Sequence, residues 1–249
     1  MSEAERGVVE REVVADASAA AARAAGLFAE LARRAVAERG RFVVALAGGS
    51  TPKAAYGLLA ADPSLGTDVW GATHVWFGDE RCVPPDSADS NYRMAREALL
   101  AHVPVPEGQV LRVEGEREPA DAAARYDALV AGEAARAGDG APVFDLVLLG
   151  VGPDGHTASL FPGGAALGEH ERWAVAVPAP EQVAPHVPRV TLTPRALAAA
   201  REVVVLATGA EKRAVVADAL EGRPDGVPAG RVRGRDATRW LLDAAAGGG

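Results

Sequence analysis

Cysteine is almost absent: Cys82 is the only one. No disulfide can form within the chain, and no Cys/His cluster has the spacing of a zinc site, so no metal is expected. Basic charge is also short. The 26 Lys and Arg are outnumbered by 34 Asp and Glu, for a net charge of −8. That excludes the basic footprint a nucleic-acid partner needs. A small anionic ligand stays open, because a few local cations can override the average field. Long apolar runs are missing too. None approaches the roughly 20 residues of a membrane helix. The charged start, residues 1–11, lacks the apolar segment of a signal peptide. A soluble cytoplasmic protein without a membrane partner is the expectation. Nucleotide motifs are missing as well: no Gly-Lys-Ser/Thr closes a P-loop, and no Gly-x-Gly-x-x-Gly follows the first strand. No internal repeat is evident, and the glycine tail, residues 247–249, reads as frayed.

What is present suits an α/β protein. Hydrophobic residues make up 49% of the chain, enough for a sizeable core. One domain over residues 1–249 is expected, as monomer or small homo-oligomer. Residues 10–38 read as a long helix, with Leu27, Phe28, Leu31, Ala35 and Val36 at helical spacing and Gly40 at its stop. Phe42 to Ala47 is an unalternated apolar run that stops in glycines, which reads as a buried parallel strand. Pro52 then opens a helix over residues 52–61. The unit recurs. Strands are read at residues 73–77, 144–149, 173–177, 189–192, 202–207 and 239–243, and helices at 90–100, 119–137 and 210–220. Such alternation implies three layers, a mostly parallel sheet with helices on both faces. Ligands then sit beyond the carboxyl ends of the strands.

Those ends carry the polar residues. Gly48-Gly49-Ser50-Thr51-Pro52 reads either as a phosphate cradle of backbone N–H groups at a helix N-terminus or as a plain capped turn. Gly78-Asp79-Glu80-Arg81 places a guanidinium fork at the next strand end. Asp79 and Glu80 would position hydroxyls or orient Arg81, unless the loop is merely solvated. Gly150-Val151-Gly152-Pro153-Asp154-Gly155-His156 is the most specific stretch. Asp154 and His156 straddle Gly155, so both can face one pocket. A neutral imidazole suits general-base work near pH 7, and a carboxylate fixes its tautomer. The bland alternative is a helix cap. Lys212 sits in a helix's first turn, against the dipole unless it meets an anion. His74, His102, His170 and His186 lack such a setting. Arg81 beside Cys82 would lower the thiol pKa, though no partner makes it a nucleophile.

Together these motifs, with Ser90-Asn91-Tyr92, Thr157-Ala158-Ser159-Leu160-Phe161-Pro162, Thr208-Gly209 and Trp240-Leu241-Leu242-Asp243, resemble the 6-phosphogluconolactonase family from about Val43 to Asp243. That family lies in a wider group with glucosamine-6-phosphate isomerase/deaminase and ribose-5-phosphate isomerase. The resemblance implies their fold and a cofactor-free hydrolysis of 6-phospho-D-glucono-1,5-lactone to 6-phosphogluconate. It implies His156 as general base, with Asp154 orienting it or binding a sugar hydroxyl. Arg81 and Lys212 would hold the phosphate, with Gly48, Gly49, Ser50 and Thr51 around it and Asp79 and Asn91 nearby. The rivals are the isomerase/deaminase and a sugar-phosphate sensor. The deaminase typically reads Ile-Ala-Phe-Asn-Glu-Pro after its histidine, and the carboxylate of that segment is absent from residues 157–162. A sensor would usually bring a further domain.

Overall fold

The computed structural model describes residues 7–138, 143–221 and 226–248. The first six residues and Gly249 of the glycine tail lie outside them. The chain begins with β1 (Val8–Val14) and α1 (Ala17–Arg39). It continues through β2 (Phe42–Leu46), α2 (Ser50–Ala60), α3 (Thr67–Gly71), β3 (Thr73–Phe77), β4 (Asp79–Arg81) and α4 (Asn91–Ala95). Next come α5 (Pro119–Ala137), β5 (Phe144–Gly150), β6 (Ala174–Val177), β7 (Arg189–Leu192) and α6 (Pro194–Ala198). The last elements are β8 (Ala200–Ala207), α7 (Arg213–Glu221), α8 (Pro228–Arg231), β9 (Ala237–Asp243) and α9 (Ala244–Gly247).

Six strands form one parallel sheet in the order β1-β9-β8-β5-β2-β3. Side chains alternate between its faces with period two. Val147, Val203, Val205, Trp240 and Leu242 pack on one face with Tyr126 and Val130 of α5 and Val216 of α7. Leu146, Leu148, Val204, Leu206 and Leu241 pack on the other with Phe28 and Leu31 of α1 and Tyr56 and Leu59 of α2. Both faces are covered, which is why these strands read as unbroken apolar runs. Each fully buried Leu or Phe contributes roughly 1.5–3 kcal/mol. Among the described residues no helix is long and apolar enough to cross a membrane.

Three expectations are corrected. The long first helix starts at Ala17, because the Asp16 carboxylate accepts from the Ala19 N–H at 2.8 Å and caps it there. Residues 8–14 are instead the edge strand β1, paired with β9. Its charges are tolerated on an edge: Glu12 pairs with Arg23 and Glu10 with Arg239. Second, β6 and β7 do not join the parallel sheet. With β4, which had read as a loop, they form a separate antiparallel sheet in the order β4-β7-β6. Third, the helix expected at residues 210–220 opens as a 3-10 turn, Ala210–Lys212, before α7. Elsewhere the agreement is close. Ser90 caps α4 through the Arg93 N–H at 3.1 Å, and a π-helical turn, Arg96–Leu100, extends it.

Candidate active site

The ends of β2, β3, β5 and β8 converge on a cavity of about 170 Å³. Two buried tyrosines fix where two of those strands stop. The Tyr56 hydroxyl accepts from the Ala47 N–H at 2.9 Å and donates to the Ala47 carbonyl at 2.8 Å. Tyr126 does the same for Phe77, at 2.8 Å each way. Each hydroxyl satisfies backbone groups that the sheet leaves unpaired at that point.

The first wall follows Ala47. Gly48 is required by a close approach: a Cβ there would lie 2.1 Å from Asn91 Oδ1. Gly49 brings no capping side chain, so the first N–H groups of α2 have no side-chain cap. Thr51 Oγ1 lies 2.9 Å from Thr208 Oγ1, tying this turn to the end of β8. Lys212 lines the cavity from there, and its ammonium makes no hydrogen bond or ion pair among the described residues. Burial holds it below the ordinary lysine pKa, opposed by Glu211 and Asp243.

The end of β5 leads to a paired histidine and aspartate. His156 Nδ1 lies 2.5 Å from Asp154 Oδ1, which also accepts the His156 N–H at 3.1 Å. A carboxylate only accepts, so Nδ1 is the donor in this contact, and in a neutral ring the lone pair then sits on Nε2. Asp154 stands behind the imidazole rather than lining the cavity. Gly152 makes room for the pair: a Cβ there would lie 2.1 Å from the His156 ring. The Phe161 ring packs against the imidazole, centroids 4.8 Å apart. Ala158, also at the cavity, holds a left-handed φ of 48°.

The second wall is the small sheet. Asp79 is buried, and its Oδ2 accepts from Ser159 Oγ at 2.6 Å. Asn91 Nδ2 donates to the Asp79 carbonyl at 2.9 Å and to Oδ1 at 3.3 Å. Glu80 does not orient the Arg81 side chain. It accepts from the N–H groups of Arg81, Asn91 and Tyr92 at 2.8, 2.7 and 2.7 Å and from Ser90 Oγ at 3.0 Å, closing the start of α4. Burial still raises its pKa against those bonds. Arg81 lines the cavity and donates from Nη1 to the Asp89 carbonyl at 2.6 Å.

The sequence expectation for Cys82 is reversed. Burial, then Glu80 and Glu118, push the thiol up to about 11, and Arg81 does not offset them. None of the other four histidines lines the cavity. Among the described residues no cluster could hold a metal ion.

The family model for glucosamine-6-phosphate isomerases/6-phosphogluconolactonase matches residues 15–240. The chain belongs to the glucosamine-6-phosphate isomerase/6-phosphogluconolactonase family. It is 42% identical to 6-phosphogluconolactonase of Rattus norvegicus over 210 residues, covering 84% of this chain and 80% of that one. It is 37% identical to 6-phosphogluconolactonase of Streptomyces coelicolor over 256 residues, covering 99% and 95%. The solved 6-phosphogluconolactonase of Trypanosoma brucei superposes with a TM-score of 0.84 at 34% identity, covering 96% and 98%. A monomeric glucosamine-6-phosphate deaminase shares the fold, with a TM-score of 0.80 at 19% identity.

Within this family member the sequence reading located nine of the cavity's polar positions: Gly48, Gly49, Ser50, Thr51, Asp79, Arg81, Asn91, His156 and Lys212. It missed Arg189. This arginine is 2% exposed yet lines the same cavity. Its Nη2 reaches the carbonyls of Val183, Ala184 and Pro185 at 3.3, 3.4 and 3.2 Å. Its guanidinium carbon lies 5.5 Å over the Phe161 ring. Burial lowers its pKa, Asp79 opposes that, and Arg81 adds to it. Arg189 opens β7, and in the sequence it looked like an ordinary strand residue.

Proposed function

We propose that this chain hydrolyses 6-phospho-D-glucono-1,5-lactone to 6-phosphogluconate. The carrying observation is the His156–Asp154 pair, whose histidine lines a cavity that Arg81 and Lys212 also line. His156 Nε2 takes a proton from water as that water attacks the lactone carbonyl. The carbonyl oxygen becomes a tetrahedral oxyanion, which backbone N–H groups of the glycine-rich turns stabilise. Collapse breaks the bond to the ring oxygen, and His156 returns its proton there. Asp154 holds the imidazole tautomer and stabilises the transient imidazolium. Arg81 and Lys212 hold the phosphate, with donors from Gly49, Ser50 and Thr51.

A ring-opening isomerase or deaminase fits the cavity less well. Such chemistry calls for a second acid or base beside the histidine. Asp79 is the one carboxylate among the described lining residues, and Ser159 and Asn91 already engage it.

The test is lactone decay. Glucose-6-phosphate dehydrogenase generates the lactone in situ, and its loss is followed against the spontaneous rate. Wild type should accelerate decay, and His156→Ala should lower kcat about 10²- to 10⁴-fold with KM little changed. Full turnover in the variant removes His156 from the mechanism. No acceleration by micromolar wild type overturns the lactonase reading.

A further inference from the structure

A second cavity, of about 470 Å³, opens at the start of β3 and shares no lining residue with the active site. It lies between α5 and β3, the edge strand of the six-stranded sheet. Its size falls within the roughly 300–1,000 Å³ of small-molecule sites. Strand alternation puts His74 and Trp76 on one face of β3, and Trp76 packs there with Tyr126 and Val130 of α5.

The lining leaves donors unused. Trp76 is 3% exposed, and its Nε1–H is buried with no acceptor among the described residues. Arg41 Nε is buried without an acceptor too. Arg41 Nη2 lies 2.8 Å from Glu133 Oε1, and Arg136 Nη1 donates to Glu133 Oε2 at 2.6 Å. The one carboxylate of the lining therefore has both oxygens engaged. The His74 ring makes no hydrogen bond among the described residues. Burial, then Arg41, hold it below the ordinary histidine pKa, with Glu133 opposing. At neutral pH it adds an N–H and no charge. Two arginines against one glutamate leave a single positive charge. Buried donors left unpaired destabilise a fold, and an occupant with acceptor oxygens would relieve them. The remaining lining is apolar: Leu111, Ala128 and Leu129, of which Leu129 stays exposed.

We propose that this cavity is a second ligand site, and that its occupant is a small organic monocarboxylate whose oxygens take the Trp76 and Arg41 donors and whose apolar body covers Leu129. The charge count selects one negative charge, and the unused donors select acceptor oxygens. A phosphate monoester near pH 7 is close to a dianion and would bring a second charge without a partner. The site stands whether or not the chain is a lactonase, because nothing in it touches the lactone cavity.

Benzoate is the probe, followed through the indole N–H signals in NMR spectra and by calorimetry. The chain has four tryptophans, and Trp76→Phe assigns the Trp76 signal. In wild type, benzoate should shift that signal and saturate it by about 10 mM. Benzamide, neutral and of the same shape, and inorganic phosphate should each bind at least about tenfold more weakly. Arg41→Met should weaken benzoate about tenfold, since one charged donor is lost. If Arg41→Met does not fold, Arg41→Lys keeps a cation for Glu133 without the Nε donor and should also bind benzoate more weakly. Lys212→Met, in the active site, should leave the Trp76 shift intact. No shift of the Trp76 signal in wild type overturns the site. So does unchanged benzoate affinity in whichever Arg41 variant folds. Loss of the shift in Lys212→Met would put the anion in the active site and overturn it as well. Benzamide or phosphate that binds as tightly as benzoate overturns the monocarboxylate assignment.

Discussion

The two walls of the cavity are built in opposite ways. The first, from Ala47 to Thr51, is backbone: a strand stops, glycines remove side chains, and a helix starts with uncapped N–H groups. The second, β4 with β7, is side chain: Asp79, Arg81 and Arg189 project from a three-residue strand and its antiparallel partner. The first wall is local, and nearly all of it lies within one turn of chain. The second exists only when distant segments pair. Tolerance to mutation should differ accordingly. Removing one side chain from the first wall leaves most donors in place, whereas the second loses function one residue at a time.

The largest effect should come from between the walls. Gly152→Ala would put a Cβ 2.1 Å from the His156 ring, so the imidazole must leave its place beside Asp154. Turnover should fall about 10²- to 10⁴-fold, as proposed for His156→Ala, with little change in Tm. Near-normal turnover of a folded Gly152→Ala protein would show that the imidazole need not sit where it does. Arg81→Ala comes next. It should weaken the phosphorylated lactone far more than the unphosphorylated one, by a KM ratio of about tenfold. Equal effects on both lactones would take Arg81 off the phosphate.

The same contrast explains what the sequence disclosed. β2, β3, β5 and β8 are covered on both faces, so each is an apolar run ending in Gly or polar residues, visible without a structure. The turns after them carry their chemistry in adjacent residues: Gly48 to Thr51 on one side, Asp154 and His156 on the other. β1 was hidden because an exposed edge admits Glu10, Arg11 and Glu12, which look like the start of a surface helix. The small sheet was hidden for a different reason. β4 has only Asp79, Glu80 and Arg81, too short for a periodicity, and β7 declares itself only by pairing. Arg189 therefore had no sequence signal as a site residue. Its meaning depends on standing opposite Arg81.

The tyrosines set the walls against each other directly. Tyr56→Phe leaves the Ala47 N–H and carbonyl without their partner, and Tyr126→Phe does so at Phe77. Each should cost about 1–3 kcal/mol, the penalty for buried polar groups left unsatisfied. Their functional effects should separate. Tyr56→Phe loosens the turn leading to Gly48 and Gly49. Tyr126→Phe loosens the lead into Asp79 and Arg81, where side-chain aim decides binding, and should raise KM more. Denaturant melts give the stability cost, and steady-state kinetics give the KM ratio. Equal KM effects at equal destabilisation would show the two walls to be equivalent.

The smallest effect concerns Cys82, on the second wall beside Arg81. Its thiol is pushed up to about 11 by burial and by Glu80 and Glu118. At pH 8 the folded protein should therefore react slowly with iodoacetamide, and denatured protein much faster, because the thiolate is the nucleophile. The linkage sign follows. The unfolded thiol loses its proton at lower pH than the folded one, so between the ordinary thiol value and about 11 the folded state binds more protons. Stability should then fall as pH rises through that window. Cys82→Ala should flatten that part of the pH profile and leave turnover at pH 7 unchanged, since nothing in the proposed chemistry uses the sulfur. Rapid alkylation of folded protein at pH 8 would mean that Arg81, not burial, governs the thiol, and that the second wall is more open to water than its packing implies.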